Sequence, residues 1–290
     1  MAQTNLEVIA SQPWLDTVGK PLSEAVRGLF RNAGPGGQAA KNALHGVWLG
    51  HPLHPVLTDV PIGAWTTALA LDAREAVTGD GAYGRAADFA VGVGLLGAVG
   101  AAVTGLTDWS ETEGRSRRLG LLHGLLNLTA TALVASSYAL RRSGSRSAGR
   151  ATTAAGFGIA IGAAYLGGNL VYRERIGVTH AAVAEPQEFT PVLESAALPD
   201  NSMRKASIED ASFLVVRQRQ RICALAHSCA HLGGPLSEGT LKDGSVVCPW
   251  HGSEFALDDG RVLNGPATEP QPCFAVQEQA GQIEVRAQSA

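Results

Sequence analysis

The spacing of apolar residues changes character near residue 180. Before that point three uncharged runs stand out: Phe89 to Thr107 (19 residues), Leu119 to Leu140 (22) and Ala151 to Tyr172 (22). Each approaches the roughly 20 residues that cross about 30 Å of hydrocarbon. A fourth stretch, 57–77, is charge-free only from Val60 to Leu71, between Asp59 and Asp72, and Pro61 suits a first helical turn. The pattern predicts four spans, at about 57–77, 88–107, 119–140 and 151–172. Upstream, Leu22, Val26, Leu29 and Phe30 recur at helical spacing beside Glu24, Arg27 and Arg31. They predict an amphipathic helix that lies on a bilayer surface or packs on the protein.

After residue 180 short β-rich runs take over, at 213–216, 222–226, 245–247, 254–257, 261–263, 274–278 and 282–286, with turn signals between them. They predict a small antiparallel sandwich or barrel. The fold class expected is therefore α plus β in two domains, an N-terminal four-helix transmembrane bundle and a C-terminal all-β antiparallel sandwich. The expected division is an interfacial segment 1–50, a membrane domain 51–180, a linker 181–199 and a β-domain 200–290. Pro186, Pro191 and Pro199 make that linker semi-rigid.

Charge sharpens the division. Fifteen Lys and Arg meet 12 Asp and Glu through residue 180, and 8 meet 14 after it. Without a strongly basic face, nucleic acid is not an expected partner. The first residues, Met-Ala-Gln-Thr-Asn-Leu-Glu-Val, have neither the basic nor the apolar region of a cleaved leader. The chain is thus expected to be a multi-pass integral membrane protein in contact with lipid. Six Lys and Arg fall on the side of both termini and six on the other, so charge does not orient it. Free cysteines and the missing leader place the β-domain in the cytoplasm. Gly92, Gly94 and Gly97 spell a dinucleotide-binding motif, but no strand precedes them, and small residues also let membrane helices approach closely.

An even span count puts His51, His54, Asp108 and His123 at one membrane face, joined there by His180. Ionisable groups at membrane depth usually face a bundle interior. They predict a metal, haem or quinone site, against helix-end hydrogen bonding and interfacial anchoring. The segment Gly-His-Pro-Leu-His-Pro-Val-Leu-Thr-Asp-Val-Pro-Ile-Gly (50–63), with Thr107-Asp108-Trp109 and Leu122-His123-Gly124, resembles an uncharacterised family of four-helix bacterial membrane domains over about 45–180. That resemblance supports the span count and assigns no activity.

Two loops interrupt the β-rich part. One holds Cys229-Ala230-His231-Leu232-Gly233-Gly234-Pro235-Leu236 and the other Cys248-Pro249-Trp250-His251-Gly252-Ser253. Two thiolates and two imidazoles suit a tetrahedral zinc ion or a [2Fe-2S] cluster. Classical zinc pairs are usually of one ligand type, whereas here each loop gives one Cys and one His. That mixture serves a cluster in which one iron takes both sulfurs and the other both nitrogens.

From about Phe189 to Arg286 the sequence resembles the Rieske [2Fe-2S] family, in both boxes and in Gly265-Pro266-Ala267, which matches the family's proline loop. The resemblance implies a Rieske-type sandwich in which Cys229 and Cys248 ligate an inner iron and His231 and His251 an outer, partly exposed one. High-potential members carry an extra cysteine in each box, where this chain has Gly234 and Trp250. Ser253 is kept where the family hydrogen-bonds a bridging sulfide, but Phe255 replaces a Tyr hydroxyl, which implies a lower potential. Trp250 is expected to shield the cluster, Cys223 and Cys273 to be core thiols, and His227 to lie at the surface.

No histidine follows His251, so the mononuclear-iron domain of Rieske oxygenase catalytic subunits is not expected. The function expected is a membrane-anchored carrier of single electrons between a redox partner protein or the quinone pool and an acceptor at or near the membrane. The rival expectations are a quinol or haem-linked oxidoreductase using His51, His54 and His123, and a module with structural zinc.

Overall fold

The computed structural model describes residues 7–288 apart from 9 and 182–185, so those four positions of the expected linker lie outside the described residues. The described helices are α1 (Pro13–Asn32), α2 (Gly34–His45), α3 (Leu53–Thr78), α4 (Gly81–Ser110), α5 (Gly114–Arg142) and α6 (Arg146–Tyr172). Ten strands follow, β1 (Thr190–Glu194), β2 (Ser202–Ile208), β3 (Ala211–Gln218), β4 (Arg221–Ala226), β5 (Thr240–Lys242), β6 (Ser245–Val247), β7 (Glu254–Ala256), β8 (Val262–Asn264), β9 (Cys273–Gln279) and β10 (Gln282–Ala287). The chain forms two compact units. One runs to Gly37 and again from Pro52 to Glu174; the other comprises Gln38–His51 and everything from Arg175.

In the helical unit, α4, α5 and α6 are long and apolar enough to cross a membrane. The four-span count is not matched, because α3, with Asp59 and two prolines in its first half and Asp72, Arg74 and Glu75 in its second, is less apolar than these three helices. Helix α3 also starts earlier than expected, at Leu53. Pro61 therefore sits in its interior, and Pro55 is the proline of its first turn. The glycines of α4 act as packing surfaces. A Cβ at Gly94 would come within 2.2 Å of the Trp65 indole, and one at Gly97 within 2.5 Å of Val60. Trp109 Nε1 donates to Arg117 O at 2.8 Å, fastening the turn between α4 and α5.

Near the far end of these helices, Arg141 bonds Asp72 and Asp88, and Arg146 bonds Glu75 and Asp88. The Arg141 side chain is wholly buried and that of Asp72 nearly so. Each satisfies the charge of the other, which is what makes such burial tolerable. Helix α1 turns Leu15, Gly19, Ser23 and Val26 inward, and Asp16 bonds Arg117 and Arg118 at 3.1 Å each. Its other side exposes Trp14, Val18, Leu22 and Leu29, so one helix both packs on the protein and presents an apolar stripe outward.

The second unit holds a six-stranded antiparallel sheet in the order β1-β10-β9-β4-β3-β2 and a four-stranded one in the order β5-β6-β7-β8. Its core includes Phe213, Leu225, Leu236, Phe255, Ile283 and Val285, each fully buried. Part of the expected linker is strand β1, whose Thr190 pairs with Val285 and Glu194 with Gln282. The pairing closes the edge of β10 and draws the chain into the sheet.

Candidate metal centre

The two boxes occupy equivalent turns of the second unit. The first joins β4 to β5 and the second joins β6 to β7. In the first, Cys229 N–H donates to Gly234 O at 2.9 Å and Gly233 N–H to Cys229 O at 2.8 Å. In the second, Cys248 N–H donates to Ser253 O at 2.8 Å and Gly252 N–H to Cys248 O at 3.2 Å. Gly233 and Gly252 take φ of 79° and 77°, a left-handed backbone that a Cβ disfavours. Both turns therefore present a cysteine at the start and a histidine two or three residues later.

The sulfurs of Cys229 and Cys248 lie close enough to hydrogen-bond, and both residues are buried and free of disulfide. Sharing one proton between them pushes the Cys229 thiol up. The bond from Cys229, with the backbone N–H groups of Trp250 and His251, brings Cys248 down to about 6 against the opposing effect of burial. The N–H groups of His231 and Leu232 point at the Cys229 sulfur in the same way. Four backbone donors thus favour negative charge on the two sulfurs. A Cβ at Gly234 would lie 2.8 Å from the Cys248 sulfur, so the glycine keeps this space open.

The rings of His231 and His251 are 5.0 Å apart between centroids and nearly perpendicular. With metal–nitrogen bonds of about 2.0–2.1 Å, two imidazoles on one tetrahedral ion have centroids roughly 5.2 Å apart. Nδ1 of His231 is buried and has no hydrogen-bond partner. Burial, reinforced by the electrostatic effect of His251, His45, Lys41 and His180, holds this imidazole well below its usual pKa, which favours the neutral ring with a lone pair to offer. Among the described residues no three His, Cys, Asp or Glu side chains converge on a single ion. The two sulfurs thus meet each other and the two imidazoles meet each other, an arrangement that suits a cluster of two irons.

The surroundings of the boxes are mixed. Ser253 is fully buried, and its Oγ accepts from Ala267 N–H at 3.0 Å, leaving the hydroxyl proton free to donate elsewhere. Pro266 is buried, as is Phe255, while Trp250 keeps 57% of its surface exposed beside Gly234. Trp250 thus reaches from the second box to lie against Gly234 of the first and leaves the rest of its ring in solvent. His227 is corrected from its expected surface position: it is buried, and its ring Nε2 meets Ser237 Oγ at 2.8 Å. Cys223 and Cys273 are half-buried at the edge of the core, and burial raises Cys273 to about 12.

Two contributions were not legible in the motifs. Gln271, 1% exposed, donates to Ala226 O at 2.8 Å and Ser228 O at 2.7 Å and accepts from Ala230 N–H at 2.9 Å. It ties the first box to β9's approach, and a lone Gln carries no spacing signal. Gln271→Ala is expected to destabilise the box by about 2–4 kcal/mol, three hydrogen bonds at roughly 1 kcal/mol each. Loss of visible absorbance at lower guanidinium concentration measures it.

The second contribution is the segment 38–51. Asn42 accepts from Gly265 N–H at 3.0 Å and donates to Asn264 at 3.1 Å, and His45 and Val47 line Gly265. His180 joins this edge, its N–H donating to Ala230 O at 3.0 Å and its ring Nε2 meeting Arg175 O at 3.1 Å.

In the helical unit the structure brings His54 and His123 together, 6.3 Å apart between ring centroids. His51 and Asp108 do not complete a three-residue metal site with them among the described residues.

The profile of the Rieske [2Fe-2S] domain matches residues 188–275, and that of the predicted membrane protein family DUF2231 matches 50–180. Ferredoxin CarAc of Metapseudomonas resinovorans is 31% identical over 87 residues, which are 30% of this chain and 81% of that protein. The chain belongs to the Rieske [2Fe-2S] family. Its cofactor is the [2Fe-2S] cluster, and it is an electron-transfer Rieske protein with a membrane domain. Human apoptosis-inducing factor 3 is 33% identical over 90 residues, 31% of this chain and only 15% of that protein. Among solved structures, a complex of reduced oxygenase and oxidised ferredoxin in carbazole 1,9a-dioxygenase contains a chain 27% identical to this one. The match covers 36% of this chain and 97% of the other, at a TM-score of 0.34.

Proposed function

We propose that Cys229 and Cys248 hold one iron of the cluster and His231 and His251 the other, and that the protein carries single electrons between a redox partner protein or the quinone pool and an acceptor at or near the membrane. The observation that carries this reading is that the two cysteine sulfurs meet and the two histidine rings meet across the paired turns. When bound, the cluster supplies a one-electron couple, which imidazole ligation places in roughly the −150 to +300 mV range. The protein's own residues bind it, direct four backbone N–H groups at the sulfurs and leave the histidine pair half-buried at the edge. The relatedness to ferredoxins supports a protein redox partner.

We further read α3 as a fourth span. Its 26 residues extend about 39 Å, and its buried Asp72 is neutralised by Arg141. The exposed stripe of α1 supports contact with lipid headgroups. The free cysteines keep the Rieske unit on the cytoplasmic side in this reading.

The direct test is an EPR spectrum of the dithionite-reduced full-length protein with iron and acid-labile sulfide counts. Two irons, two sulfides and an S = 1/2 signal per chain are expected, whereas colourless protein containing zinc would overturn the assignment. Ser253→Ala is expected to lower the reduction potential by about 60–130 mV. That is one hydrogen bond to a charged acceptor, roughly 1.5–3 kcal/mol, expressed on a one-electron couple. A redox titration of wild type and variant checks it.

A further inference from the structure

The helical unit contains a second pair of histidines that the cluster does not use. His54 lies in the first turn of α3, and its Nδ1 is 2.8 Å from Ala101 O of α4. His123 lies in α5, and its Nδ1 is 2.8 Å from Ala163 O of α6. A carbonyl only accepts, so in both rings the proton sits on Nδ1 and the lone pair on Nε2. Anchoring one ring nitrogen to a backbone carbonyl in this way fixes the tautomer and direction of a metal-ligating imidazole.

The two sites repeat one design. Each helical hairpin supplies a histidine on its first helix and a carbonyl on its second. Each places a glycine four residues beyond that carbonyl, Gly105 after Ala101 and Gly167 after Ala163. A Cβ at Gly105 would come within 2.7 Å of the His54 ring, and one at Gly167 within 3.2 Å of the His123 ring. Both glycines make room for an imidazole.

The spacing of the rings narrows the ligand. Their centroids are 6.3 Å apart with planes at 87°. Two imidazoles on opposite sides of one metal ion, with bonds of about 2.0–2.1 Å, have centroids roughly 6.4 Å apart, against roughly 5.2 Å for a tetrahedral pair. Among the described residues no group of three His, Cys, Asp or Glu gathers here, and a porphyrin brings four nitrogen ligands of its own. Asn127 Nδ2 is 3.2 Å from Nε2 of His123 and also donates to His123 O at 3.0 Å, so it can yield the lone pair and keep a bond.

From these residues we propose that His54 and His123 are the two axial ligands of an iron porphyrin held within the helical unit. This inference is independent of the cluster assignment. The test uses full-length protein purified in detergent after expression with haem supply, and hemin added to haem-free preparations. One low-spin, six-coordinate haem per chain is expected by absorbance and EPR. His54→Ala and His123→Ala should each abolish the low-spin signal while the cluster signal persists. His54→Met retains an axial donor, so haem should remain with an altered low-spin spectrum. Protein that carries no haem and takes up no hemin at one equivalent overturns the proposal. So does haem whose spectrum is unchanged in all three variants.

Discussion

Cys229→Ser is expected to reduce cluster iron and visible absorbance to near background. Cys229 is 1% exposed, its sulfur faces that of Cys248, and backbone N–H groups of His231 and Leu232 are aimed at it. A hydroxyl at this point is a hard, weakly acidic donor where the iron selects a soft thiolate. It also leaves the N–H groups of His231 and Leu232 facing a group that does not carry the negative charge they favour. Cys223→Ser and Cys273→Ser are the controls, because both thiols sit half-buried among core residues outside the two boxes. Iron and sulfide analysis of the three variants decides between them. Retention of two irons in Cys229→Ser, or equal loss in all three, would remove the ligand role.

His251→Cys is expected to lower the reduction potential by about 100 to 350 mV. Replacing a neutral imidazole by a thiolate adds one negative charge beside the iron that accepts the electron. The difference between Rieske clusters and all-thiolate clusters near −400 mV corresponds to two such replacements. The substitution keeps a competent ligand in the second box, so the potential is read on an assembled cluster. His227→Cys is the comparison, since its buried ring bonds Ser237 and faces no partner histidine. A potential in His251→Cys equal to that of wild type would show that this imidazole does not touch iron. The direction follows from charge alone and does not depend on the wild-type value.

The cluster-binding boxes were legible because their chemistry is local. Two short segments fix the ligand types, the glycines that allow the left-handed turns, and the open space at Gly234. The strands around them, β3, β4, β6, β7, β8, β9 and β10, are rich enough in β-forming residues between turn signals to be found. Strands β1, β2 and β5 were missed. β2 carries Arg204 and Lys205 on its exposed positions, and β1 contains Pro191, which suits an edge and mimics a linker. His227 was misplaced because its buried setting depends on Ser237, ten residues away across the first box.

In the helical part, length and polarity alone identified α4, α5 and α6. They left α3 ambiguous, because whether Asp72 is tolerable depends on Arg141, 69 positions later. Likewise, His51, His54, Asp108 and His123 were indistinguishable as sequence. Only packing separates the pair His54 and His123 from the other two.

The sequence by itself determined two kinds of segment, a membrane-suited helical part and a β-part with two Cys-and-His boxes, because hydrophobic period and ligand spacing are properties of neighbouring residues. The tertiary structure alone decided that the sulfurs of Cys229 and Cys248 meet, that the rings of His231 and His251 meet, and that Gln271 and Asn42 hold the loops around them. It also set His54 against His123. These are relations between residues from 19 to 223 positions apart, and folding sets such distances through packing and hydrogen bonds that no local pattern encodes.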